Sequence, residues 1–298
     1  MLGKLRWCEA ERIWPNGARY LWTDAFGVVL LTSLYQVLGD GAYLDQAKQV
    51  VAAVGRVLGR PRGIRIGEAA DRDGQYFHYL AMWLFALAVL GRYDRKYLEQ
   101  GVALARDVHD AFVMPHHGVW WKMREDLSGP YPGNGFGALD PFSGYVSYRL
   151  LDPRTLGHQI EEMRTLIDMT SDHLHVTQDL GIGMVLWMSH FQRDERWARI
   201  QRARGLRTLD RMWCHDQYFC REPTERRICF AFTNYGVSVG LQAVGAYPER
   251  VVALNDHFEA YRSHDHYDRD AITHVMACSS HFPGLLLAEN LAMIDVTF

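Results

Sequence analysis

The chain has 298 residues, a formal net charge of −3, 48% hydrophobic and 22% charged residues. That balance excludes a disordered chain and a basic protein drawn to nucleic acid or to anionic membranes. The longest apolar stretch, residues 81–90, is about half of a bilayer span.

The first helix is expected over 24–38 (DAFGVVLLTSLYQVL), apolar on nearly every side, with Thr23 as its N-cap and Gly39-Asp40-Gly41 as its stop. The second, over 42–58, is amphipathic: Leu44, Ala47, Val51 and Val54 form one stripe, with Asp45, Lys48 and Arg56 elsewhere. The pairing then recurs. An apolar helix over 74–91 precedes an amphipathic one over 95–113. Further pairs read as 141–151 with 155–170, 179–191 with 194–213, and 230–244 with 248–262. A last apolar helix, 270–289, has no clear partner. Residues 117–126 and 217–222 read as short strands or extended loops, and the Gly- and Pro-rich stretch 128–137 cannot be helical.

A helix apolar all round must be buried on all sides, and one with a single stripe covers it. Repeating that hairpin gives a closed ring or a solenoid. The expectation is an all-α, single-domain (α/α)6 toroid over residues 1–298. It is incomplete by one outer helix, or the N-terminal segment replaces that helix. An open superhelical array is the competing architecture, but no tight fixed period and unequal helix pairs speak against it. The five cysteines are an odd number without CxxC spacing. The charged N-terminus MLGKLRWCEAERIW lacks the apolar run of a signal peptide. A reducing, cytoplasmic setting is therefore expected.

In a ring of hairpins, the N-termini of the apolar helices collect at one end and favour polar and acidic ligands. Those positions hold Trp22 and Asp24, then Asp73, Gln75, Tyr76 and His78, then Asp140 and Tyr145, then Asp179, then Asn234 and Tyr235, and finally Asp270 and His274. Helix capping alone accounts for Asp140 and Asp179, with Pro141 at a first helical position. Two carboxylates facing each other, one protonated and one charged, would suit glycoside cleavage. Asp73 is the first candidate, Asp24 the second. Histidine offers a rival, since a His pair can remove and return a proton beside a carbonyl. Trp121 and Lys122 lie on the expected strand and would contact a ligand, Lys122 through a carboxylate. No metal spacing, phosphate loop or nucleophile elbow is present, so neither a metal nor a cofactor is expected.

Trp22-Thr23-Asp24 with Gly27, Leu34-Tyr35, Gly39-Asp40 and Tyr43-Leu44 resembles the hairpins of six-hairpin glycosidase-like (α/α) toroid proteins. Unsaturated glucuronyl hydrolases and the N-acylglucosamine 2-epimerase group belong to that superfamily. The runs 73–79 (DGQYFHY) and 139–145 (LDPFSGY) are similar to signatures of its uncharacterised members. The hydrolase resemblance implies Asp73 as acid/base with Asp24 as partner. The epimerase resemblance implies His78 and His274. A glycoside hydrolase-type reaction on a small saccharide, in a central aromatic-lined pocket, is the leading expectation, with no nucleic-acid or membrane partner. A sugar epimerase or isomerase is the alternative, and a terpene-cyclase-like enzyme or a non-catalytic helical scaffold follow.

Overall fold

The computed structural model describes residues 1–224 and 229–294. Its helices run in chain order as α1 (Leu2–Ala10), α2 (Leu21–Leu38), α3 (Gly41–Val57), α4 (Phe77–Leu90), α5 (Arg95–Phe112), α6 (Asp140–Leu151) and α7 (Gly157–Thr170). There follow α8 (Asp179–His190), α9 (Arg196–Cys214), α10 (Ala231–Val244), α11 (Pro248–Ala260), α12 (Ala271–His281) and the short α13 (Ala288–Ala292). Four two-residue strands form two antiparallel pairs. Gln75–Tyr76 (β1) pairs with Lys122–Met123 (β4), and Val113–Met114 (β2) pairs with Gly118–Val119 (β3).

Two compact units divide the chain. Among the described residues, one comprises Arg19–Thr170 and 289–294; the other comprises Met1–Ala18 and Ser171–Ala288. In the Arg19–Thr170 unit, α2/α3, α4/α5 and α6/α7 are hairpins, and α4 packs against both α2 and α6. The first member of each hairpin is buried nearly all round, as its composition requires. Helix α2 has the length and apolarity of a membrane span, which the sequence reading gave to no segment; 78% of it is buried inside the protein. Gly39 ends α2 in the left-handed region (φ 69°), and Asp40 caps α3 through Ala42 N at 3.0 Å.

In the other unit, α8/α9 and α10/α11 are hairpins, and α10 packs against α8 and α12. Helix α8 meets α10 through glycines: a Cβ on Gly183 would lie 2.7 Å from Val237 N. Helix α12 packs against α1, so the N-terminal segment covers the helix that lacked a partner.

Several boundaries differ from expectation. Helix α2 starts at Leu21 with Tyr20, not Thr23, as its N-cap. Helix α4 starts at Phe77, because Gln75 and Tyr76 are drawn into the β1–β4 pairing. The expected strand 117–126 is two short strands with Trp120 and Trp121 between them. Residues 217–222, by contrast, are loop, one of the two forms expected of them, with positive φ at Gln217 and Cys220. The 270–289 helix stops at His281, before Phe282-Pro283, since the residue ahead of a proline leaves the helical region.

Candidate active site

In the Arg19–Thr170 unit, the starts of α2, α4 and α6 and the β4 segment bring together Trp22, Tyr76, His78, Tyr79, Trp121 and Asp140. Trp22 lies 6.0 Å from His78 and 5.2 Å from Tyr79, ring centre to ring centre. Tyr76 touches His78 (5.3 Å), Tyr79 (5.1 Å) and Trp121 (4.8 Å). The rings of His78 and Trp121 are parallel within 3°, with centroids 6.1 Å apart. Tyr79 donates to or accepts from Tyr20 at 2.6 Å, oxygen to oxygen. Burial pushes both phenols up, Tyr20 to about 12, so both stay neutral. The wall is partly open: Trp121 is 39% exposed.

His78 Nδ1 stands 3.5 Å from Asp140 Oδ1; the histidine side chain is 27% exposed and the carboxylate 3%. Asp140 Oδ1 is buried without a hydrogen-bond partner, and so is Trp22 Nε1. Burial pushes the Asp140 carboxyl up, and His78 beside it pulls it partly back. Asp140 is the first residue of α6, with Leu139 before it as N-cap and no side-chain capping bond. Capping therefore does not account for Asp140; its carboxylate faces His78 instead.

The other candidates of this unit have structural partners. Asp73 is ion-paired with Arg65 and accepts Gly67 N at 3.2 Å and Gly74 N at 2.8 Å. It lies in the loop before α4, not within that helix. Asp24, fully buried, is paired with Arg19 at 2.9 Å. Gln75 donates to Arg62 O and Glu125 O and accepts Ile64 N, tying three loops together. Lys122 is buried between the rings of Tyr76 and Tyr131, at 4.8 and 4.3 Å, with Glu68 at 3.4 Å. It is therefore not available to a ligand carboxylate. The Tyr145 hydroxyl accepts from Arg149 and Arg164, on the side of α7.

Asn234, Tyr235, Asp270 and His274 belong to the other unit. Asn234 donates to Phe230 O at 2.9 Å, and Asp270 is the N-cap of α12, its carboxyl raised by burial. Asp179 accepts from Leu180 N, Tyr218 and Thr233, which joins α8 to α10. Tyr235 and His274 line a cavity of about 500 Å³ with Lys4, Trp7, Phe230 and Arg262. Its size suits a small ligand, and most of its charged groups are engaged, although His274 Nδ1 is buried without a hydrogen-bond partner. Lys4 pairs with Glu259, Arg269 with Glu11, and Asp268 accepts from Ser263 and His264. His274 bonds Asp268 O at 3.0 Å, and burial pulls it down to about 4. Size thus favours this cavity, and available proton chemistry favours the His78 cluster. Among the described residues, no group of three or more His, Cys, Asp or Glu could hold a metal.

The sequence reading missed Tyr20 and Tyr79, the arginines that neutralise Asp24 and Asp73, and the pairing of His78 with Asp140. Their partners lie 5 to 62 positions apart in the chain, and helix phase does not reveal such contacts.

No family model matches the chain, and no curated protein matches it. Among solved structures, an α-1,6-mannanase from Salegentibacter sp. is similar over 92% of this chain and 91% of its own, at 11% identity and a TM-score of 0.59. A cellobiose 2-epimerase from Spirochaeta thermophila is similar over 86% of this chain and 73% of its own, at 16% identity and 0.56. A sugar epimerase from a ruminal bacterium is similar over 89% and 76%, at 12% identity and 0.57. At these identities the likeness speaks for architecture alone: the chain has the all-α fold of helical hairpins, the (α/α) toroid type, that these solved enzymes share.

Proposed function

We propose that the chain is a carbohydrate-active enzyme that moves a proton next to the carbonyl of a reducing sugar, as an isomerase or epimerase does. The observation that carries this reading is His78: a half-open imidazole beside a buried carboxylate, set in a wall of Trp22, Tyr76 and Trp121. Aromatic faces suit the C–H faces of a sugar. With Nδ1–H turned to Asp140, Nε2 is the base. It takes the proton from C2 of the open-chain aldose, the C–H electron pair becomes the C1–C2 double bond, the C1=O pair moves onto O1 to leave an enediolate, and the Asp140 carboxylate balances the imidazolium. Returning the proton to C1 on the same face, with the O2 proton passing to O1, gives the ketose, which needs one base. Return to the other face of C2 gives the epimer and needs a second group or a turned enediolate. The solved sugar epimerases of similar fold make this chemistry reasonable on the same scaffold.

Glycoside hydrolysis is the second reading. The upward push that burial gives Asp140 favours it, because a carboxyl that holds its proton more readily suits a general acid. The mannanase of similar fold is in keeping with it. Against it, Asp24 and Asp73 are held in ion pairs with Arg19 and Arg65, which occupies the carboxylates that would serve beside Asp140. The two readings part in one experiment. Incubation with aldoses and reducing disaccharides in D₂O, followed by proton NMR, should show loss of the C2–H signal, and His78→Asn should abolish it. Release of new reducing ends without C2 exchange, lost in Asp140→Asn, would overturn the first reading in favour of the second.

A further inference from the structure

We infer that Gly137 is a positioning residue for the His78–Asp140 pair, because only a residue without a side chain lets the Asp140 carboxylate occupy its place. The inference rests on the proposed role of that pair. A Cβ built on Gly137 would overlap Asp140 Oδ2 and would lie 2.6 Å from Asp140 Cγ and 3.3 Å from Trp121 Cδ1. The space a side chain at Gly137 would need is thus taken by the carboxylate and bordered by the tryptophan that stacks parallel to His78.

The loop cannot yield to such a Cβ. Gly137 N donates to Val119 O at 2.8 Å, Trp121 N donates to Gly135 O at 3.0 Å, and Trp120 and Phe136 form an isolated antiparallel bridge. Those bonds fix 135–137 to 119–121, so the Asp140 side chain must move. Asp140 is 98% buried by residue and has little room to move without leaving His78. The backbone of Gly137 is not in the left-handed region. The requirement is one of space, set by Asp140.

Gly135 supplies the control: it lies in the same loop, and a Cβ there meets nothing within 4 Å. The experiment uses Gly137→Ala, Gly135→Ala and Asp140→Asn, and reads the tautomer of His78 from its ring nitrogen shifts by long-range ¹⁵N–¹H NMR. Wild type and Gly135→Ala should hold the proton on Nδ1; Gly137→Ala should lose that preference as Asp140→Asn does. With a turned-over sugar, Gly137→Ala should lower kcat at least about tenfold with KM within about twofold. A wild-type tautomer in Gly137→Ala, alongside a changed one in Asp140→Asn, would overturn the inference. If Gly137→Ala does not fold, Gly137→Ala with Asp140→Ala should fold again, since the obstructing carboxylate is gone; failure of that rescue overturns the inference equally. The NMR result does not depend on turnover, so a protein with the expected tautomers and no sugar chemistry would refute the proposed function and leave the positioning role standing.

Discussion

Asp73 accepts two backbone N–H bonds and a guanidinium with none of its side chain exposed. Asp73→Asn would weaken all three and leave Arg65 with less compensation. Since Arg65 is 22% exposed, water recovers part of the loss, and destabilisation by about 2–3 kcal/mol is expected in urea titration. C2–H exchange should persist wherever the variant is folded. Unchanged stability with lost turnover would return Asp73 to the chemistry. His78→Asn and Asp140→Asn should behave in the opposite way, with turnover lowered by roughly 10²–10⁴ for the histidine at nearly constant melting temperature. The residue types of the candidate site were legible in the sequence: Trp22, Tyr76, His78, Trp121 and Asp140 do meet. Their roles were not, because an aspartate at a helix start looks the same whether an arginine, a backbone amide or a histidine faces it. Arg19 and Arg65, which pair with Asp24 and Asp73, lie in irregular segments where no periodicity points to a partner.

Helix packing was more readable, because a helix apolar all round has few ways to be satisfied. The alternation of α2/α3, α4/α5, α6/α7, α8/α9 and α10/α11 is written in that composition. The close passage of α8 by α10 is not, since glycines in a helix do not announce what approaches them. Gly183→Ala should put a methyl group against the backbone of α10 and cost about 1–3 kcal/mol. Gly55→Ala in α3, where a Cβ meets nothing within 4 Å, should instead stabilise by about 0.5–1 kcal/mol through lost freedom of the unfolded chain. Thermal melts of both variants check the pair; equal effects would mean that helix propensity, not close approach, governs α8. The start of α4 was misjudged for a comparable reason: Gln75 and Tyr76 pair with Met123 and Lys122, a contact nearly fifty residues away.

At the scale of the molecule, acid should act unevenly. His190 accepts Ala288 N at 2.9 Å on Nε2 and faces Trp187 O with Nδ1, so a neutral ring satisfies both. Burial pulls His190 and His274 down to about 4. Below the ordinary pKa of 6.5 the unfolded chain binds protons there that the folded chain refuses, so stability is full above 6.5 and falls towards 4. Each histidine should cost about 2 kcal/mol between pH 7 and pH 5. Both lie in the unit of α8 to α12. Asp140, in the other unit, works the opposite way: its raised pKa means that the folded form holds its proton as pH falls, which adds stability there. Hydrogen exchange at pH 7 and pH 5 should therefore show α8 and α12 losing protection first. Uniform loss would refute the assignment, and His190→Gln should flatten the dependence by about half.

The order of segments carries a consequence for how the protein is made. Residues 1–18 belong with 171–288, while 19–170 belong with 289–294. During synthesis, α1 emerges long before the helix it covers, which is completed only at residue 281. Leu5 and Cys8, buried in the finished protein, must wait in water through some 260 residues of translation. Neither unit is a contiguous stretch that could be cut out and expressed alone. A permuted gene that moves residues 1–18 behind residue 288 would shorten that wait, and faster recovery from denaturant in the permuted chain would expose the delay that the natural order imposes.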